Sequence, residues 1–153
     1  MSLLLPQSID GIETRFAPDH PIAALADFYR AFNERDLEAM ARHWAHHAET
    51  SMSNPLGGIR RGWPEIRAVY ERIFHGAARV RVMFHDYTLH ESADSFLAVG
   101  RERGTLIRGN AQLELAIRTT RLYRRIDGVW RQFHHHGSFD DPALFEAYRE
   151  ALA

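Results

Sequence analysis

The sequence predicts an α+β fold: three N-terminal helices packed on a mostly antiparallel sheet, followed by a short C-terminal helix. Two observations carry this. Apolar residues recur at three- and four-residue spacing as far as Phe74, then the period switches to two. The later stretches are joined by short polar turns, as in an antiparallel meander. Helices first and strands afterwards is the order expected of an α+β domain. At 153 residues, 45% of them hydrophobic, the chain can bury a substantial core.

Residues 1–20 lack periodicity and contain Pro6, Gly11 and Pro18, so they read as an arm preceding one domain over 21–153. The first helix starts at Pro21 and aligns Ile22, Leu25, Phe28, Tyr29 and Phe32 on one face. Asp19 is the expected cap, with Pro21 in the first turn. Asn33-Glu34-Arg35-Asp36 is a break, and a second helix runs through Leu37, Met40, Ala41 and Trp44. Glu49 to Asn54 and Ile59 to Gly62 are two short strands around the turn Pro55-Leu56-Gly57-Gly58. Pro64 opens a third helix, with Ile66, Val69, Tyr70, Ile73 and Phe74 on one face and Gly76 at its end. Strands are expected over about 79–90, 95–107, 111–126 and 129–139. Their turns fall at Ser92-Asp94, Arg108-Asn110 and Asp127-Gly128. Asp141-Pro142 starts the last helix.

Composition narrows the function. The formal net charge is −1, with both signs mixed, so no basic face for nucleic acid is evident. There is no cysteine, which removes thiol chemistry, disulfides and Cys-type zinc sites. Leu3-Leu4-Leu5 is too short for a signal-peptide core, and no apolar run reaches membrane length. The expectation is a cytoplasmic protein without a membrane partner.

Strand parity supplies the candidate site. On 111–126 the odd positions read Leu113, Leu115, Ile117, Thr119, Arg121 and Tyr123, so the odd face is the buried one. Arg121 is then an inward charge beside Tyr123. On the preceding strand Arg101 shares parity with Leu97 and Val99 and is expected inward too. Inward arginines need neutralising by an anionic or carbonyl-bearing ligand or by internal carboxylates such as Asp27, Glu34 or Glu65, unless they are exposed at a frayed strand end. In His134-His135-His136, His134 and His136 share one face and His135 takes the other, as a candidate acid–base group. His-x-His spacing suits a metal, but a third ligand such as His85 or His90 is not fixed by the sequence, so no metal is assigned. His43, His46 and His47 have helical spacing and read as a solvated face. Trp44, Trp63, Tyr70 and Phe74 fit a core, or together a roof over a cavity.

From about Ala23 to Ser138 the chain resembles the SnoaL-like branch of the nuclear transport factor 2 superfamily. The resemblance rests on Phe28 to Leu37, on Gly62-Trp63-Pro64-Glu65-Ile66, and on the last hairpin from Thr120 to Ser138. That hairpin is also similar to the association domain of calcium/calmodulin-dependent protein kinase II. The resemblance implies a curved sheet wrapped by helices into a cone with a deep cavity, and a homodimer through the sheet's outer face. In the kinase domain, cavity arginines bind carboxylate-bearing molecules. Arg121 falls on one such position and Arg101 on a second, while a third is Gly137 here.

The resulting expectation is a small-molecule pocket protein with no cofactor. Its pocket would be lined by Arg101, Arg121, Tyr123, His135, Trp44, Trp63 and Tyr70. One reading is a cofactor-independent isomerase, cyclase, dehydratase or hydrolase acting on a carbonyl- or carboxylate-bearing molecule. In it His135 is acid or base and Arg121 stabilises an oxyanion. The other is a non-catalytic carboxylate-binding or oligomerisation domain. Fold alone does not choose between them.

Overall fold

The computed structural model describes residues 4–153. Seven strands form one sheet in the order β1-β4-β5-β6-β7-β2-β3. The strands are β1 (Ser8–Ile9), β2 (Ser51–Ser53), β3 (Arg60–Arg61), β4 (Arg79–Glu91), β5 (Ser95–Arg108), β6 (Ala111–Ile126) and β7 (Val129–Phe139). The helices are α1 (Pro21–Asn33), α2 (Leu37–His43), α3 (Trp63–His75) and α4 (Pro142–Leu152). All strand pairs are antiparallel except β2 with β7. This is the α+β arrangement the periodicity predicts. No helix among the described residues is long and apolar enough to cross a membrane.

The apolar face of α1 packs with α3 onto the inner side of the sheet. Phe28, Tyr29, Phe32, Tyr70, Phe74 and Phe84 form its aromatic centre. Each such side chain contributes about 1.5–3 kcal/mol by leaving water. The helix starts differ in one detail from the sequence reading. His20, not Asp19, caps α1: its Nδ1 accepts the Ile22 amide at 3.0 Å. Asp19 instead offers its backbone carbonyl to the Trp130 indole at 2.7 Å.

Two irregularities re-aim side chains. In β4 the register shifts between His85 and Thr88, around Asp86 with φ of 50°. Val80, Val82 and Phe84 face inward before this bulge, and Leu89, opposite buried Ala98, does so after it. In β7 the register shifts at Phe133, so both Gln132 and His135 lie on the inner face. Gly104 is required where β5 crosses β4, because a Cβ there would lie 1.9 Å from the Arg81 carbonyl oxygen.

The arm is tied to the domain by polar contacts. Arg30 Nε donates to the Gly11 carbonyl at 2.8 Å. Asn33 Nδ2 donates to the carbonyls of Asp10 at 3.1 Å and Val82 at 2.9 Å, and Asn33 Oδ1 accepts the Val82 amide at 2.9 Å. Asn33 thus stands in for a strand partner where β1 is too short to reach. Asn33→Ala would strand three backbone groups, so its urea unfolding free energy should fall by about 1–3 kcal/mol. Asn33→Asp, which keeps the acceptor but loses the donor, should fail similarly.

Candidate functional site

The inner face of the sheet, α1 and α3 enclose a cavity of about 50 Å³. Its walls are mostly apolar, with Phe28, Met52, Ile73, Val80 and Ile117 prominent, and Tyr148 of α4 also lines it. Three polar groups reach it from adjacent strands: Glu102 on β5, Arg121 on β6 and His135 on β7.

Arg121 is 1% exposed, and each of its three guanidinium nitrogens donates a hydrogen bond. Nη2 donates to Glu102 Oε2 at 2.7 Å, Nη1 to Gln132 Oε1 at 2.8 Å, and Nε to the Tyr29 hydroxyl at 3.3 Å. Its plane lies 3.6 Å from the Phe28 ring centroid, a cation–π contact. Tyr29 in turn donates to the same Glu102 Oε2 at 2.7 Å. Burial alone would lower the pKa of Arg121, but the charges and dipoles of Tyr29, Glu102 and their neighbours outweigh it, so the net shift is upward. The inward arginine of the sequence reading is therefore real, and its counter-charge is Glu102 rather than Asp27, Glu34 or Glu65.

His135 is the opposite case. It is buried, and neither ring nitrogen meets a hydrogen-bond partner among the described residues. Burial first, then the charge of Arg121, pushes its pKa well below the usual histidine range. At neutral pH it is an uncharged imidazole with one donor and one acceptor unused.

The remaining expected residues divide. Tyr70 lines the cavity, and its hydroxyl accepts the Trp44 indole N–H at 3.2 Å. Trp44 is buried behind Tyr70, outside the cavity wall. Trp63 lies off the cavity, stacked on His46 with centroids 5.3 Å apart. Tyr123 is inward and buried but sits deeper, stacked on Phe96. Arg101 is a correction: it points outward, paired with Asp140 at 3.2 Å and Asp86 at 3.4 Å. The β5–β6 hairpin turns on two residues, pairing Arg108 with Ala111. That places Glu102 opposite Ile117 and inward, and Arg101 opposite Arg118 and outward.

His43 is a second correction. It is buried rather than solvated, with Nδ1 3.0 Å from Asp27 and Nε2 2.9 Å from the Tyr123 hydroxyl. Burial lowers its pKa against the pull of Asp27, so Nδ1–H donates to the carboxylate and Nε2 accepts from Tyr123. The spacing argument failed because α2 ends at His43, leaving His46 and His47 beyond the helix. His134 and His136 lie on the outer side, opposite Leu122 and Thr120, and His134 Nδ1 is 2.7 Å from Ser51 Oγ. No group of three metal-ligating side chains occurs among the described residues.

A curved antiparallel sheet wrapped by helices around an inner cavity defines a cystatin-like α+β cone. A family model described as a SnoaL-like domain matches residues 22–142, and the chain belongs to that family. Among solved structures, it resembles a Thiobacillus denitrificans protein provisionally described as a calcium/calmodulin-dependent protein kinase type II association domain. The two share 30% identity over 77% of this chain and 93% of that one, with a TM-score of 0.67. A Streptomyces avermitilis protein of the nuclear transport factor 2-like family, provisionally described as a dehydratase, matches at 21% identity. That match covers 76% and 90% of the two chains with a TM-score of 0.69. A Caulobacter vibrioides protein with a cystatin-like fold matches at 22% identity over 82% and 90%, with a TM-score of 0.62. No curated protein matches.

Two expectations follow from the site. Glu102→Leu leaves a buried, unpaired guanidinium and should cost about 3–5 kcal/mol in urea unfolding, whereas the double change Glu102→Leu/Arg121→Met should cost less than Glu102→Leu alone. The second concerns pH. His43 and His135 both have folded-state pKa values below the unfolded value of 6.5. Their contribution is full above the unfolded pKa and is lost as pH falls below it, because the unfolded chain then binds more protons. Stability should drop from pH 7.5 toward pH 5.5, by up to about 1.4 kcal/mol per pH unit for each histidine. His135→Leu should flatten the slope and raise stability at neutral pH.

Proposed function

We propose that the protein binds a small organic molecule by a neutral carbonyl or hydroxyl group inserted into the cavity, and moves a proton on it without a cofactor. The observation that carries this is His135, a buried imidazole with both nitrogens unpartnered among the described residues, at a mostly apolar cavity. A fold leaves such a group unsatisfied at a cost of about 1–3 kcal/mol, and a ligand that accepts or donates there recovers it. Arg121 does not receive an anion on this reading. Each of its three nitrogens already donates to a protein group, and Glu102 would repel a second carboxylate beside it in a low-dielectric site. On this reading the carboxylate-binding role suggested by the kinase-type resemblance is not assigned to the inner cavity.

Glu102 gives the reading its chemistry. Both of its hydrogen bonds end on Oε2, and Oε1 has no hydrogen bond among the described residues. Glu102 would accept a proton from carbon next to a carbonyl, and His135 would hydrogen-bond the oxygen as charge develops. The dehydratase description of the Streptomyces avermitilis protein belongs to the same class of chemistry. A pairing of two copies through the outer sheet face is a second, compatible reading, favoured by the 30% identity to the Thiobacillus denitrificans association-domain protein.

The test is a thermal-shift panel of small ketones and alcohols, followed by deuterium exchange of the best ketone. A ligand should raise the melting temperature of the natural protein and not that of His135→Leu. Exchange at the α-carbon should be accelerated and lost in Glu102→Gln. Equal shifts in His135→Leu, or no shift across the panel, would overturn the binding reading. Binding without exchange would leave a non-catalytic pocket.

A further inference from the structure

The inner cavity has room for the end of a molecule, and a second space shows where the rest would lie. A groove of about 310 Å³ runs between the β2–β3 turn, α3 and the end of α4. It shares Asn54, Val69 and Ile73 with the cavity, so the two spaces adjoin across these side chains. Leu56, Ala68 and Leu152 continue the apolar wall outward.

The groove differs from the cavity in charge. Arg60 and Arg72 line it, and no carboxylate does so among the described residues. Neither guanidinium takes part in a hydrogen bond or ion pair among the described residues. The neighbouring Arg67 on the same helix is paired with Glu71 at 3.1 Å. The inner cavity has the reverse balance, since Arg121 and Glu102 cancel each other there at 2.7 Å. Positive charge without a counter-charge among the described residues is therefore concentrated in the groove beside the cavity. Planar guanidinium forks suit a carboxylate or a phosphate monoester, whose oxygens accept two parallel donors.

We infer that the ligand is an amphipathic anion: a neutral polar end at His135, an apolar stem past Val69 and Ile73, and a carboxylate or phosphate held in the groove by Arg60 and Arg72. This rests on the reading of the cavity as the ligand site. It deepens that reading by separating the two polar ends of the ligand into two places. The anion stays in the wetter groove, where its desolvation is cheap, and the reacting end enters the dry cavity. Discrimination against molecules lacking the anion would then come from the groove, away from the reacting groups.

Calorimetric titration with hexanol, ω-hydroxyhexanoate and ω-hydroxyhexyl phosphate at low ionic strength tests it. The natural protein should bind at least one anion about tenfold or more tightly than hexanol, and the tighter anion identifies the head group. That preference should weaken with added salt. In Arg60→Gln/Arg72→Gln the preference should fall to near one while hexanol binding is unchanged. Arg67→Gln, which alters an already paired charge, should keep it. Equal binding of hexanol and both anions, or a preference that survives in the double variant, would overturn the inference. If hexanol then still binds and His135→Leu abolishes it, the cavity reading stands while the anion assignment falls. If none of the three binds, both fall together.

Discussion

Burying the Arg121 guanidinium sets the terms for the rest of this fold. A charge of that kind placed in an apolar interior is tolerated only when its donors and its charge are all met. Here three elements meet them: α1 through Tyr29 and Phe28, β5 through Glu102, and β7 through Gln132, around a side chain on β6. Each partner fixes something larger than itself. Glu102 can reach Arg121 only if β5 pairs with β6 in the observed register. Gln132 can do so together with an inward His135 only because Phe133 is the extra residue of a bulge. The helix is held by the Tyr29 hydroxyl, which touches both members of the ion pair. A one-residue slip in either hairpin would break the set, so the buried pair acts as a register lock, the best-attested use of such groups.

That lock also explains why the candidate site was only half legible in the sequence. β6 announces its own inner face, because Leu113, Leu115 and Ile117 alternate with Gln112 and Glu114. β5 does not: Phe96-Leu97-Ala98-Val99 is apolar on both faces, and Gly100 and Gly104 carry no side chain to decide the matter. Parity there depends on the turn. A three-residue turn over Arg108-Asn110 would put odd positions opposite odd ones and Arg101 inward. The observed two-residue turn at Gly109-Asn110 inverts the whole strand and brings Glu102 in. The signal that could have found Glu102 was therefore the length of the turn, together with the buried arginine's need for a carboxylate. The helices and the four long strands were legible because their periods extend over many residues. The bulges at Asp86 and Phe133 were not, since a single inserted residue leaves no periodic trace.

The contrast between Arg121 and His135 separates structure from function at this site. Both are inward, polar and on neighbouring strands, facing each other in the β6–β7 register. One has every nitrogen hydrogen-bonded, and the other has neither nitrogen bonded among the described residues. A satisfied buried charge specifies the fold, and little is left over for a ligand. An unsatisfied buried imidazole weakens the fold, and no hydrogen bond among the described residues compensates it. Local departures from an otherwise consistent fold tend to mark functional places. By this measure the proposed function rests on His135, whose imidazole is kept neutral first by burial and then by the charge of Arg121.

The same charge accounting extends beyond the cavity. Because the ion pair inside is closed, the interior offers a ligand hydrogen bonds and apolar contact but no net charge. Because Arg60 and Arg72 are exposed, the adjoining groove offers charge in a setting where water still reaches. A molecule matched to both must be neutral at one end and anionic at the other, joined by a stem that fits past Val69 and Ile73. Affinity and chemistry then fall on different residues. The groove would bind without touching the reacting bond, and its binding energy could hold the neutral end in the dry site where proton transfer is easiest to steer.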